Sequence, residues 1–182
     1  MIPSRTLRLL VVGLILVSTA GCDQVTKHFA RTQLNQFEPA ALAGGFIELV
    51  LAENPGAFLS LGASLPKAAR AGLFTAGIGV GLVLLLIYLF RAVALPWLSF
   101  LGLGLIWAGG MSNLFDRFIR HGLVTDFILI RAGPFHTGVF NVADVAIVAG
   151  TVILIASLRG ARKHGSSKIR NPRPEARTEV SE

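Results

Sequence analysis

"AGLFTAGIGVGLVLLLIYLF", residues 71–90, is twenty uncharged residues between Arg70 and Arg91. A run of about 18 or more apolar residues is long enough to cross the hydrocarbon core of a membrane as a helix. Working outward, residues 92–115 are a second uncharged run, of 24, with Pro96 near its start, where a helix tolerates proline. Two shorter runs flank these. Residues 9–22 are uncharged and end against Asp23; residues 145–158 are uncharged between Asp144 and Arg159. Each has 14 residues and rises about 21 Å as a helix, short of the roughly 30 Å core. To span, each carries its aspartate into or near the membrane. The composition agrees: 53% hydrophobic, only 15% charged and a mean hydropathy of +0.66, where soluble domains hold about a quarter charged residues. Four spans are expected, at about 7–28, 69–90, 93–115 and 139–158, within a unit of residues 1–162.

Charge orients them. Arg5 and Arg8 precede the first span, and 7 of the 17 Lys+Arg lie beyond residue 158. Cytoplasmic flanks carry such an excess, so both termini are expected on the cytoplasmic side. The basic tail, 163–182, reads as disordered and drawn to anionic lipid, not to nucleic acid. Residues 30–67 and 116–138 then form two outer loops. In the first, two apolar, strand-like stretches flank a turn at Asn54-Pro55-Gly56, and a small β-element is expected there. The fold class is an all-α membrane protein of four transmembrane helices with a small outer-face β-structure.

Four aspartates gather at the outer ends of these spans: Asp23, Asp116, Asp126 and Asp144. Ionisable groups at membrane depth are costly and mark function. Asp23 has Lys27 at i+4, and Asp116 has Arg117 beside it and Arg120 at i+4, so both suit a structural role. Asp126 and Asp144 have no basic residue within four positions. Brought together, two such carboxylates share one proton, one acting as base and the other as acid, which is the requirement of an aspartic peptidase. The patterns "NLFD" (113–116) and "NVAD" (141–144) place Asn113 and Asn141 beside carboxylates, with Arg117 on the face of Asn113. Such donors orient substrate carbonyls or stabilise an oxyanion; Asn141 also suits a helix cap. His28, His121, His136 and His164 are scattered, no zinc-peptidase or serine-nucleophile pattern appears, and neither a metal nor a cofactor is expected.

The motifs "DQVTK" (23–27), "NPGAF" (54–58), "GGMSNLFDR" (109–117), "VTDF" (124–127) and "FNVADVAI" (140–147), in this order between four spans, resemble the lipoprotein signal peptidases, the signal peptidase II family. Ser112 departs from the glycine usual there. The resemblance implies four transmembrane helices with an outer β-cradle, in the bacterial inner membrane, and an active site near the periplasmic face. It implies cleavage of diacylglyceryl-modified prolipoproteins before the lipidated cysteine, membrane lipid around the enzyme, and inhibition by the cyclic peptide globomycin. It places the catalytic pair at Asp126 and Asp144, has Asn113, Arg117 and Asn141 orient the pair or the substrate, and gives Asp23, Lys27, Asn54 and Gly56 supporting roles.

Two other readings compete. "VSTAGC", residues 17–22, looks like the end of a lipoprotein leader, with Cys22 the lipidated anchor. Against it, Thr19 stands where leucine is usual, and "DQVTKHFA" continues a helical pattern after the cysteine. A small ion or proton transporter would use the same aspartates, but wants charges near mid-membrane, where the second and third spans have none.

Overall fold

The computed structural model describes residues 5–35, 38–56, 62–92 and 94–170. Helix α1 is Arg5–Gln33. Helix α2 is Lys67–Arg91, with a wide π-helical stretch over Ala71–Gly77. Helix α3 is Trp97–Ile119 and helix α4 is Val142–Arg170. All four are long and apolar enough to cross a membrane. Helix α4 continues beyond the boundary expected at 162. No proline interrupts "ARKHGSSKIR" before Pro172, so nothing in residues 161–170 forces the helix to stop; the rest of the expected tail, 171–182, lies outside the described residues.

Helix α3 is the centre of the bundle. In its most apolar window 56% of residues are buried, against 11%, 11% and 17% in α1, α2 and α4. The peripheral helices turn leucine and valine outward: Leu10, Leu14, Val17, Val80, Leu84 and Val152 are exposed. That surface suits lipid, which has no cost for an exposed aliphatic side chain and demands only that backbone groups be paired within the helix. Glycine sets the approach of α3 to α4. A Cβ placed on Gly102 would lie 2.7 Å from the Gly150 carbonyl, and one on Gly109 would lie 2.5 Å from the Ala143 carbonyl. Small residues are what allow two membrane helices to pack at backbone distance. A buried cluster of Val12, Leu82, Leu89, Phe100, Trp107, Ala108 and Leu114 fills the angles between α1, α2 and α3, and the Trp107 indole N–H donates to the Leu82 carbonyl at 3.1 Å.

The β-structure is one antiparallel sheet in the order β1-β2-β3-β4: Ala40–Leu42, Ile47–Asn54, Val124–Ala132 and Phe135–His136. The first apolar stretch of the outer loop is β2, as expected. The second stretch, beyond the Asn54 turn, lies largely outside the described residues (57–61), and the neighbours of β2 are β1 and β3. Strand β2 pairs with β3 from the second outer loop, Ala52 opposite Asp126 and Asn54 opposite Val124. The alternation in "VTDFILIRA" is weak because the start of β3 is buried on both faces, Val124 to Phe127 all being enclosed. Phe140 extends the pairing by exchanging N–H···O bonds with Ile128, both 2.9 Å. That bridge delivers the start of α4 to the side of Asp126. Outside the core of the sheet, Arg131 grips Glu48 with two bonds of 2.6 and 3.0 Å.

Candidate active site

The four aspartates do converge, and the fold sorts them into two pairs. Asp23 and Asp116, fully buried, share the Lys27 ammonium at 2.6 and 3.0 Å. The third Lys27 proton goes to Asn113 Oδ1 at 2.9 Å, so every donor of this buried cation is used. Each of the two carboxylates also accepts two further bonds. Asp23 accepts from the Ser112 hydroxyl at 2.7 Å and from the Ala143 backbone N–H at 2.9 Å. The second bond puts an anion on the open N–H groups at the start of α4, where the helix end favours negative charge. Asp116 accepts from Gln24 Nε2 at 2.9 Å and from the Thr125 N–H at 3.1 Å, tying α3 to α1 and to β3.

The pairing of Asp23 with Lys27 is as expected, and that of Asp116 is not. Its cation is Lys27 from α1, not Arg117 or Arg120. One step round the helix, Arg117 turns away to bond the carbonyls of Asn113 (3.2 Å) and Gly56 (2.6 Å). Arg120 lies beyond the last helical residue, with non-helical backbone, and pairs with Glu53.

Asp126 and Asp144 form the second pair, and neutral amides hold it. Asn141 Nδ2 donates to Asp126 Oδ1 at 2.6 Å, Asn54 Nδ2 to Asp126 Oδ2 at 2.9 Å, and Asn113 Nδ2 to Asp144 Oδ1 at 2.9 Å. No cation lies within ion-pair distance of either carboxylate among the described residues. The orientation of each amide is fixed by its oxygen. Asn113 Oδ1 accepts from Lys27 and from Asn141 Nδ2 (3.1 Å); Asn54 Oδ1 accepts from the Gly56 N–H at 2.8 Å. Asn141 Oδ1 accepts from the Asp144 N–H at 2.9 Å, while Asp144 Oδ2 accepts from the Asn141 N–H at 3.3 Å. That reciprocal pair is a capping box at the start of α4. Asn141 therefore caps the helix and bridges to Asp126 with the same side chain.

Asp126 is 2% exposed. Burial pushes its carboxyl up to about 6, against the amide bonds from Asn54 and Asn141, and the neighbouring charge of Asp144 adds to the rise. A carboxyl that exchanges its proton near neutral pH is suited to acid–base chemistry.

Beside the pair, Arg117 anchors the Asn54–Gly56 turn through the Gly56 carbonyl, and its buried Nε has no hydrogen-bond partner among the described residues. It lines a cavity of about 700 Å3 together with Pro55, Lys67, Arg70 and His121. Arg117 thus touches the wall of the cavity and the turn, and not the carboxylates. Sequence reasoning missed Gln24, Ser112 and Thr125. Only Ser112 carried a signal, as a hydroxyl where a glycine is usual; the structure gives that hydroxyl a bond to Asp23.

The profile of the family described as signal peptidase (SPase) II matches residues 15–159. A lipoprotein signal peptidase of Desulforapulum autotrophicum is 39% identical over 80% of this chain and 90% of its own length. Those of Syntrophus aciditrophicus and Rhodococcus jostii are 32% and 34% identical, over 87% and 90% of this chain and 95% and 79% of theirs. A bacterial membrane enzyme solved by the in meso method at 2.3 Å resolution superposes with a TM-score of 0.70 at 22% identity, covering 91% of this chain and 93% of its own. With the matched region taking in all four helices and every aspartate of the site, this multi-pass membrane protein belongs to the signal peptidase II family.

Proposed function

We propose that this family member is an intramembrane aspartic endopeptidase, that Asp126 and Asp144 are its catalytic residues, and that it cuts diacylglyceryl-modified prolipoproteins before the lipidated cysteine. The observation that carries the reading is the division of the aspartates: two share a buried lysine, and two are held by amides that leave a proton free to move. In the cycle, one carboxylate takes a proton from water as the oxygen attacks the scissile carbonyl carbon. Its partner gives a proton to the carbonyl oxygen. The tetrahedral intermediate then collapses, the C–N bond breaks, and the leaving amine of the cysteine takes up the proton. Asn54, Asn113 and Asn141 keep the carboxylates oriented. Arg117 and Gly56 hold the turn over the site, and the adjoining cavity offers room for the polar side of the substrate.

A site at the aspartate end of the bundle suits a substrate helix that enters sideways, its acyl chains remaining in lipid. We place this end near the periplasmic face of the inner membrane, with both termini cytoplasmic, on the strength of the basic flanks. A transporter reading fits less well, since the charged residues of α2 sit at its two ends, at Lys67, Arg70 and Arg91.

The test is purified enzyme in detergent with a lipidated precursor and its unlipidated counterpart. Only the lipidated form should be cut, leaving a product that begins at the modified cysteine, and globomycin should block the reaction. Cleavage at another bond, or undiminished cleavage by the Asp144→Asn enzyme, removes the proposal. Reporter fusions after residue 182 should report a cytoplasmic terminus; an exported one puts the site in the wrong compartment.

A further inference from the structure

The other end of the bundle holds a second charged site, remote from the aspartates. On α1, Arg8 lies fifteen residues before Asp23, about 22 Å along the axis. There a cavity of about 390 Å3 is lined by Arg5, Arg8, Leu9, Phe90 and Arg91. Three of the five residues are arginines. Arg8 is 2% exposed. Its guanidinium is fixed by the carbonyls of Ala92 (2.9 Å) and Leu95 (3.4 Å) and lies 5.0 Å from the centroid of the Phe100 ring. Arg5 and Arg91 are exposed and make no ion pair among the described residues. From Arg5 to Cys22 on α1, along the whole of α2, and from Trp97 to Phe115 on α3, the sequence carries no acidic residue. Three guanidiniums, with the nearest acidic residue on α1 being Asp23, fifteen residues beyond Arg8, form a concentrated positive field, and the planar forks suit phosphate oxygens.

The surroundings indicate what brings the phosphate. Leu7, Leu9 and Leu10 are exposed on α1, and Tyr88, Trp97 and Leu98 are exposed close by on α2 and α3. Trp97 stacks on Phe100 at 5.1 Å, next to the ring that Arg8 covers. Tyrosine and tryptophan mark the headgroup level of a membrane, and basic pockets between helices at that level take anionic headgroups. We infer that this cavity binds the phosphate of an anionic phospholipid, with the acyl chains lying along the exposed leucines of α1. The inference does not depend on the peptidase mechanism, because none of its residues belongs to that site.

The experiment is native mass spectrometry of the full chain in detergent, titrated with phosphatidylglycerol, with phosphatidylcholine, and with inorganic phosphate. One or more phosphatidylglycerol molecules should stay bound under conditions that strip phosphatidylcholine. A basic residue near the membrane surface changes anionic-lipid binding about fivefold, so Arg5→Gln with Arg91→Gln should weaken it roughly thirtyfold. Arg5→Lys with Arg91→Lys should keep the preference for the anionic lipid. Both double variants should cleave precursor as well as the parent in micelles free of the lipid, which shows that they fold. Equal retention of the two lipids, or unchanged binding by the glutamine variant, overturns the inference. Displacement of the lipid by millimolar inorganic phosphate would keep the phosphate site and overturn the lipid as its source.

Discussion

Replacing Asp126 by asparagine should affect activity and stability in opposite directions as the pH rises. The Asp126 carboxyl titrates at about 6 in the fold, against a reference value of 3.8. A carboxyl with a raised folded value binds protons more tightly in the native state, so its ionisation opposes folding. The penalty is absent well below 3.8, grows between the two values, and is complete above about 6. At 1.36 kcal/mol per pKa unit the full penalty is about 3 kcal/mol at pH 8, and roughly half of that is already present at pH 5. Asparagine removes it. The new amide also costs something, because Asn54 and Asn141 both present fixed N–H donors to this position and one of them loses its acceptor. That loss is about 1–2 kcal/mol and does not vary with pH. The quantity to measure is therefore the change with pH of the difference between variant and parent. Unfolding in mixed micelles at pH 5 and pH 8 should show the variant gaining about 1.4 kcal/mol on the parent over that interval. Over the same range the variant's cleavage of a lipidated precursor should be down roughly a thousandfold, since an amide exchanges no proton. A pH-independent stability difference would refute the burial argument for Asp126. Full cleavage would refute its catalytic role.

Lys27→Met leaves two buried carboxylates without their cation and should cost about 3–5 kcal/mol, read as lost accumulation in the membrane; adding Asp116→Asn should recover part of it. Asn141→Ala should lower cleavage about a hundredfold and stability by about 1 kcal/mol, whereas Asn141→Ser should restore the cap but not the cleavage, in paired melting and cleavage measurements. Cys22 should stay unmodified with residues 1–21 attached, by intact mass spectrometry; a chain lacking those residues and carrying a diacylglyceryl mass would show that it is processed as a lipoprotein.

The spans were legible because lipid imposes a length and a composition that no nearby residue can disguise. The family motifs were legible for a related reason: each contributes its site residues from a few consecutive positions, "GGMSNLFDR", "VTDF" and "FNVADVAI" near the ends of α3, β3 and α4, and "DQVTK" from within α1. What could not be read is what pairs across the loops. Strand β3 pairs with β2 over a separation that includes two helices, and "VTDFILIRA" shows no alternation because its first four residues are all enclosed. The capping box at Asn141 and Asp144 is local, and its N-x-x-D spacing was visible; its second function, reaching Asp126, depends on the Phe140–Ile128 bridge. Cys22 shows the same limit from the other side. "VSTAGC" has the look of a leader's end, yet α1 runs on past the exposed cysteine to Gln33. The neighbour Asp23 holds the helix in place, through Lys27 on α1, Ser112 on α3 and the Ala143 N–H on α4. A leader peptide must unwind at this point to expose a peptide bond; here unwinding would detach a buried anion from three partners.

Local charge also singles out Asp126 and Asp144, the pair proposed for chemistry, by an argument that the geometry follows only in part. Asp126 and Asp144 lack nearby cations in sequence and, among the described residues, lack them within ion-pair distance. For Asp116, however, the sequence points to Arg117 and Arg120, whereas its ion pair is with Lys27. The deciding geometry is that Lys27 emerges from α1 between Asp23 and Asp116 with three protons to place, and the third goes to the Asn113 oxygen. That bond turns the Asn113 amide nitrogen toward Asp144. The lysine therefore does two things at once: it bridges the pair that holds the helices together, and it fixes the donor that orients the pair proposed for chemistry. It follows that the structural pair and the proposed catalytic pair are not separable modules. A change that frees Lys27 should misorient Asn113 even where the protein still folds. The Lys27→Met, Asp116→Asn chain, if it recovers stability, should for that reason recover little cleavage.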